Sequence, residues 1–129
     1  MEDALLMPFE RYVKSGRTYR PTASIWSRGQ IGLNQGAVRR FKINEYKFAV
    51  LFYDDENKRI GIRLTNDENE PGVMGIVRGA TGVFISAISF LDFYNIDHKK
   101  TQKYAVDYNE DEGFYILDLN KPLTKQESR

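Results

Sequence analysis

The sequence predicts a mixed fold, mainly β with short helices, in which two pseudo-symmetric β-α-β-β repeats form one small barrel. Apolar runs with the two-residue alternation of strands are separated by polar turns, and the order strand, helix, hairpin occurs twice. Gly29 and Gly82 begin equivalent segments, and Tyr53 and Tyr108 lead into equivalent turns at an interval only slightly longer. Neither copy has enough apolar surface to close a core alone, so we expect the two to pack together about a pseudo-two-fold axis, as a homodimer of single copies would.

The chain is predicted to divide into five segments within one compact domain. A basic N-terminal arm (1–21) precedes the first repeat (22–64), a polar connector (65–81) leads to the second repeat (82–119), and a polar, frayed tail (120–129) follows. In chain order, we expect strands at 22–27, 30–33, 48–53, 59–64, 82–85, 104–108 and 114–119, and helices at 35–41 and 87–94.

Each helix is predicted to begin at a capping side chain. Asn34 and Ser86 stand just before the helical runs, where a side-chain oxygen accepts a hydrogen bond from an amide of the first turn. In the first helix, Val38 and Phe41 lie three residues apart and are expected to face the core. The residues between them are then expected to turn toward solvent.

Composition narrows the class of protein. The 129 residues include no cysteine, which excludes disulfides, thiolate nucleophiles and cysteine metal sites. No apolar run approaches the roughly 20 residues that cross a bilayer, and the first residues lack the apolar core of a signal peptide. We therefore expect a cytoplasmic protein with no membrane partner.

The net charge of +1 hides an asymmetry between the two halves. Residues 1–50 carry nine lysines and arginines against four acidic residues, whereas residues 51–129 carry ten against fourteen. A basic block of this kind is typical of a nucleic-acid footprint, although it is also explained by a basic half that balances an acidic half. The candidate phosphate-binding residues are Arg17, Arg20, Arg28, Arg39, Arg40 and Lys42, with Tyr19 and Trp26 as aromatic neighbours. Trp26 is more simply explained as an ordinary core or interface residue.

One stretch carries a family pattern. SRGQIGLNQGAVRRFKI (27–43), followed by AVLFYDDENKRIGIRL (49–64), resembles the swapped-hairpin domain of AbrB-like regulators and MazE-type antitoxins. The likeness covers 22–64, the second copy follows from the internal repeat, and tandem copies in one chain resemble MraZ-like proteins. The resemblance implies a swapped-hairpin barrel and binding of double-stranded DNA through arginines at one edge.

The resemblance to this family extends to individual residues of the chain. The family features matched here are the glycine that enters the helix-leading strand (Gly29), the second arginine of a helical pair (Arg39) and the acidic hairpin turn (54–56). The chain departs from the pattern with Asn34 in place of proline, Lys42 in place of glycine and Val38 in place of the first arginine. The second copy has Leu91 and Asp92 where the arginines would stand, which predicts a poor DNA reader.

Little in the sequence points to catalysis. The single histidine, His98, lies in a polar stretch and is expected in a surface loop, and the serines have no local base partner. The acidic turns 54–57 and 109–112 lack the spacing of a calcium loop and are expected to be only turns. The prediction is a non-enzymatic protein with no cofactor and no metal.

A second class of function stays open. The protein is alternatively a protein–protein interaction or self-assembly module that binds no nucleic acid, either a monomeric pseudo-dimer or a homodimer. The second repeat is unusually rich in aromatic residues, and such residues anchor protein interfaces. Those expected to be exposed are Phe90, Phe93, Tyr94, Tyr104, Phe114 and Tyr115.

Overall fold

The computed structural model describes residues 20–124, which form two five-stranded antiparallel sheets and short helices. The elements are β1 (Thr22–Ile25), β2 (Gln30–Asn34), α1 (Gln35–Arg40), a 3-10 helix (Ile43–Glu45), β3 (Phe48–Asp54), β4 (Arg59–Thr65), β5 (Met74–Gly75), β6 (Val77–Arg78), β7 (Gly82–Ser86), α2 (Ile88–Phe93), β8 (Gln102–Ala105), β9 (Asp107–Asn109) and β10 (Phe114–Asp118). The first sheet has the strand order β6-β7-β2-β1-β8 and the second β5-β3-β4-β10-β9. The mainly β class with short helices is confirmed. Neither sheet closes on itself, and the repeat and the barrel stay predictions.

The two halves of the chain pair with each other in both sheets, along β1–β8 and β2–β7 in the first and along β4–β10 in the second. In the first sheet β2 and β7 run antiparallel, with Gln30 opposite Ser86. In the second sheet β4 and β10 run antiparallel, with Ile60 opposite Leu117. Alternate residues of these strands enter a single core shared by both sheets, whose apolar burial is the main favourable term in folding. Its strand residues include Ala23, Ile25, Ile31, Leu33, Ile60, Ile62, Val83, Ile85 and Leu117.

The chain passes directly from one sheet to the other at two places. Ile76 alone separates β5 from β6, and Val106 alone separates β8 from β9. The prediction of one strand over 104–108 is therefore wrong. Val106 is buried, and its amide donates a hydrogen bond to the carbonyl of Pro21. After this residue the chain leaves the first sheet and continues as β9 in the second. Two-residue strands such as β5 and β6 are too short to show alternation, and they lie within the predicted connector.

One of the two predicted helix caps is confirmed. The side-chain Oδ1 of Asn34 accepts a hydrogen bond from the amide of Ala37 at 2.9 Å, so Asn34 caps α1. The predicted Ser86 cap is wrong, because Ser86 is still paired with β2 as the last residue of β7. Ala87 occupies the cap position of α2 and its amide donates to the carbonyl of Gly29 at 2.8 Å.

The predicted set of exposed aromatic residues is only partly correct. Phe90 and Tyr104 are buried in the core, while Phe114 and Tyr115 are half-buried. Phe93 and Tyr94 are exposed as expected.

The part of the chain that the structure describes contains no helix with the length and hydropathy of a membrane span.

Candidate nucleic-acid interface

The start of α1 is held by a single asparagine. Besides capping Ala37, the Oδ1 of Asn34 accepts from the amide of Thr22 at 3.0 Å, and its Nδ2 donates to the carbonyl of Arg20 at 2.7 Å. These three bonds fix the backbone of Arg20 beside the first turn of α1. The side chain of Arg20 is exposed there.

Within the described residues of the first half, basic side chains are densest at the end of α1. Gly36, Ala37 and Val38 are buried on one side of the helix, whereas Arg39 and Arg40 are exposed on the other. Cations in this position also complement the partial negative charge at a helix C-terminus. Lys42 follows in the left-handed conformation with φ of 54°, and its side chain is exposed as well.

Packing holds this basic turn in place. Phe41 lies between the two arginines and Lys42, and its ring packs against Tyr115 with the centroids 4.4 Å apart. Ile43, just beyond, is buried in the core. Arg20 therefore lies beside the first turn of α1, whereas Arg39, Arg40 and Lys42 lie at and just after its last turn, on a backbone fixed by the core.

Arg28 lies at the other end of β2, in the turn between β1 and β2. Its Nε donates to the Oε1 of Gln30 at 2.7 Å, and its guanidinium carbon stands 5.3 Å from the centroid of the Trp26 ring. Extended chain from Arg28 to Asn34 spans about 20 Å, so Arg28 does not join the α1 group. Arg17 and Tyr19 lie outside the described residues.

Trp26 is half-buried and packs across the first sheet. A Cβ at Gly32 would lie 2.5 Å from the Cη2 atom of the indole, so only glycine leaves room for the ring at this position. The ring also makes an edge contact with Phe84, with centroids 6.3 Å apart. This packing agrees with the simpler interpretation of Trp26 as a structural aromatic residue.

A further arginine, Arg78, lies near α1 and was not among the predicted phosphate-binding residues. The guanidinium of Arg78, on β6, donates to the Oδ1 of Asn44 at 2.6 Å and to the carbonyl of Tyr46 at 3.1 Å. It thereby lies beside the 3-10 helix that follows Lys42. The sequence placed Arg78 in a glycine-containing connector, and no local pattern there indicates its position next to α1.

One cation joins the two acidic turns. Arg59 donates to the carboxylates of Asp54 and Glu112, so it joins the turn between β3 and β4 to the turn between β9 and β10. Hydrogen bonds from Asn57, followed by those from Arg59, lower the pKa of Asp54 to about 2. Among the described residues, no three side chains of metal-ligating type cluster together.

His98 lies in the loop between α2 and β8, as expected, and is half-buried there. One ring nitrogen lies 2.9 Å from the carbonyl oxygen of Ser27 and the other 3.0 Å from the carboxylate of Asp92. These contacts raise the pKa of His98 above its ordinary 6.5, the hydrogen bond with Asp92 being the larger cause. The turn that carries Arg28 is thus tied to α2.

The helix of the second half differs from α1 in its chemistry. Leu91 is fully buried and Asp92 pairs with His98, so neither offers a positive charge at the position of Arg39. Of the two described α-helices, α1 carries basic residues in its last turn and α2 carries none.

No family model, curated protein or solved structure matches the chain.

Proposed function

We propose that this chain is a non-enzymatic, regulator-like protein that binds double-stranded DNA through phosphate contacts from its first half. The observation that carries the proposal is the basic turn at the end of α1, where Arg39, Arg40 and the following Lys42 are exposed on a backbone fixed by Asn34 and the core. Guanidinium groups suit phosphate because their planar fork donates two parallel hydrogen bonds. Arg20 adds a charge at the same end of β2 and Arg28 adds one at the other end.

We further propose that the fold is a duplicated swapped-hairpin domain of the AbrB-like kind. In support, α1 and α2 each have six residues, and their first residues, Gln35 and Ile88, are separated by the same interval as Gly29 and Gly82. The strands that precede these helices pair with each other, as do β4 and β10, which end the two hairpins. Pairing between equivalent elements is what an axis of pseudo-symmetry produces. The β5–β6 and β8–β9 segments link the two sheets, as a barrel requires.

The proposal is tested by removing the three charges of α1 without disturbing its backbone. The triple variant Arg39→Gln, Arg40→Gln, Lys42→Asn is neutral at all three positions, and asparagine tolerates the left-handed conformation of residue 42. We expect fluorescence anisotropy at low salt to show at least tenfold weaker binding to a random-sequence duplex. The matched control replaces the exposed lysines Lys99, Lys100 and Lys121 by glutamine, which removes the same charge elsewhere and should leave duplex binding nearly unchanged.

A self-assembly module is the second candidate, and one surface favours it. On and just after α2, Ile88 is 47%, Phe93 76% and Tyr94 40% exposed, which places three large apolar side chains in solvent. If this surface joins two copies, light scattering will report a concentration-dependent dimer that Phe93→Ser dissociates. The triple variant of α1 would then leave the dimer intact, and the wild type would not retain duplex DNA.

A further inference from the structure

A groove between the β3–β4 turn, the loop from α2 to β8 and the residues after β10 is separate from the basic turn of α1. Its volume is about 800 Å³, within the size range of small-molecule sites. The proposed duplex contacts use none of its lining residues.

One wall of the groove is aromatic. Tyr53 and Tyr94 line it as a tilted pair with ring centroids 5.0 Å apart. Buried Phe90 contacts both rings from behind, with centroids 6.4 Å from Tyr53 and 5.2 Å from Tyr94. This backing fixes the two tyrosines, while Tyr94 keeps 40% of its surface exposed. A flat aromatic ligand could stack there at little cost in side-chain order.

Three lysines also line the groove. Lys99 and Lys100 are exposed on the loop after α2, and Lys58 reaches in from the β3–β4 turn. Two carboxylates also line the groove. Asp55 accepts from the Nζ of Lys58 at 2.9 Å, and Asp97 accepts from the backbone amide of Lys99 at 2.9 Å. Lys58 and Asp55 form an ion pair, so Lys99, Lys100 and Asp97 leave a net charge of +1 on the loop side.

The third wall is formed by the chain after β10. The amide of Leu119 donates to the carbonyl of Lys58 at 2.9 Å, and the amide of Leu123 donates to the carbonyl of Lys103 at 2.7 Å. Asn120 lines the groove and its Nδ2 reaches the carbonyl of Asn57 at 3.2 Å. The described part of the predicted frayed tail is therefore bonded to the β3–β4 turn and to β8, while residues 125–129 lie outside the described part.

We propose that this groove binds one unpaired nucleotide, with the base stacked on Tyr94 and the phosphate beside Lys99 and Lys100. Stacking against an aromatic ring beside cations is how unpaired nucleotides are held without sequence preference. The side-chain amides of Asn95 and Asn120 line the same groove and can bond to the edge of a base. The nucleotide is either free in solution or part of a single strand. This site does not depend on duplex binding at α1.

The test is an NMR titration of the whole chain with adenosine 5′-monophosphate, with a short oligothymidylate and with inorganic phosphate. We expect the amide signals of Asn95, Lys99, Lys100 and Asn120 to shift with both nucleotides and to shift much less with phosphate alone. Tighter binding of the oligothymidylate would indicate a single strand as the source, and equal binding a free nucleotide. No shift with either nucleotide, or equal shifts and affinity with phosphate, would overturn the proposal.

Variants keep the test specific to the groove. Lys99→Gln with Lys100→Gln, and separately Tyr94→Leu, should each weaken nucleotide binding about tenfold. Tyr94→Phe keeps the ring and should keep binding, and it separates a stacking role from a structural one. The matched control Lys47→Gln with Lys121→Gln removes two exposed lysines that do not line the groove and should leave nucleotide binding unchanged. If the groove variants bind nucleotide as the wild type does, the assignment is wrong, whatever the result for duplex DNA.

Discussion

The guanidinium of Arg59 holds Glu112 across a boundary between the two halves of the chain, through bonds of 2.9 and 3.0 Å. The same side chain donates to Asp54 at 2.8 Å. Two acidic hairpin turns that are far apart in the sequence therefore share one cation. In the sequence these are two separate acidic turns. In the folded chain Arg59 joins them into one ion-pair cluster.

Acid should weaken the fold through Asp54. Its pKa is lowered from the ordinary 3.8 to about 2, so its carboxylate contributes stability above pH 3.8 that is lost as the pH falls toward 2. We expect Asp54→Asn to be less stable than the wild type at neutral pH, with a smaller further loss as the pH falls through this range. Urea unfolding at a series of acidic pH values checks it. Parallel pH profiles for the two proteins would contradict the assigned role of Asp54.

Base should weaken a different contact, at His98. Because its folded pKa is raised above 6.5, the stability it contributes is fully present below pH 6.5 and is lost as the pH rises through the folded value. NMR titration of the single histidine should give a pKa above 6.5, and His98→Gln should flatten the fall in stability on the alkaline side. A measured pKa at or below 6.5 would show that Asp92 does not stabilise the charged ring.

Removal of the Asn34 side chain should cost more than an ordinary helix cap. Asn34→Ala loses two accepted hydrogen bonds and one donated bond, and cap losses alone cost about 1–2 kcal/mol. Asn34→Asp is the matched control, because it keeps both acceptor roles and loses only the bond to Arg20. Urea unfolding should rank the wild type above Asn34→Asp and Asn34→Asp above Asn34→Ala. Equal stability of the two variants would show that the cap contributes nothing.

Addition of a side chain at Gly32 should displace the only tryptophan of the sequence. The indole already fills the space that a Cβ would occupy, so Gly32→Val should destabilise the fold by about 1–3 kcal/mol and shift Trp26 emission to the red. In the Trp26→Leu background the same change should cost less, since the smaller side chain leaves room. A cost independent of the residue at position 26 would place the strain elsewhere.

The sequence predicted those elements whose signals are local. Asn34 predicted a helix cap and Val38 a buried helix face. The alternation of Ile60 and Ile62 predicted a strand, and the structure agrees at all three places. Ser86 shows the limit of such signals. A serine before a helical run favours a cap, but strand pairing takes the backbone of Ser86, and its partner Gln30 lies far earlier in the chain.

The remaining features depend on tertiary contacts. The break at Val106 follows from which sheet accepts each half of the strand, and the positions of Arg78 and His98 follow from contacts with residues distant in sequence. No short window of sequence contains these partners. The basic residues 39, 40 and 42 were predicted as a site because they are close together in sequence. The groove could not be predicted in this way, because its lining residues come from three separate segments.

The most direct test of DNA binding by the first half is its salt dependence. Five basic side chains within the described residues are proposed to contact phosphates, so the logarithm of the duplex binding constant should fall with the logarithm of salt concentration at a slope of about −4 to −5. The α1 triple variant should reduce the steepness of that slope by about 2 to 3. Duplex affinity that does not change between about 0.05 and 0.2 M salt, or a slope that is the same in both proteins, would contradict the account.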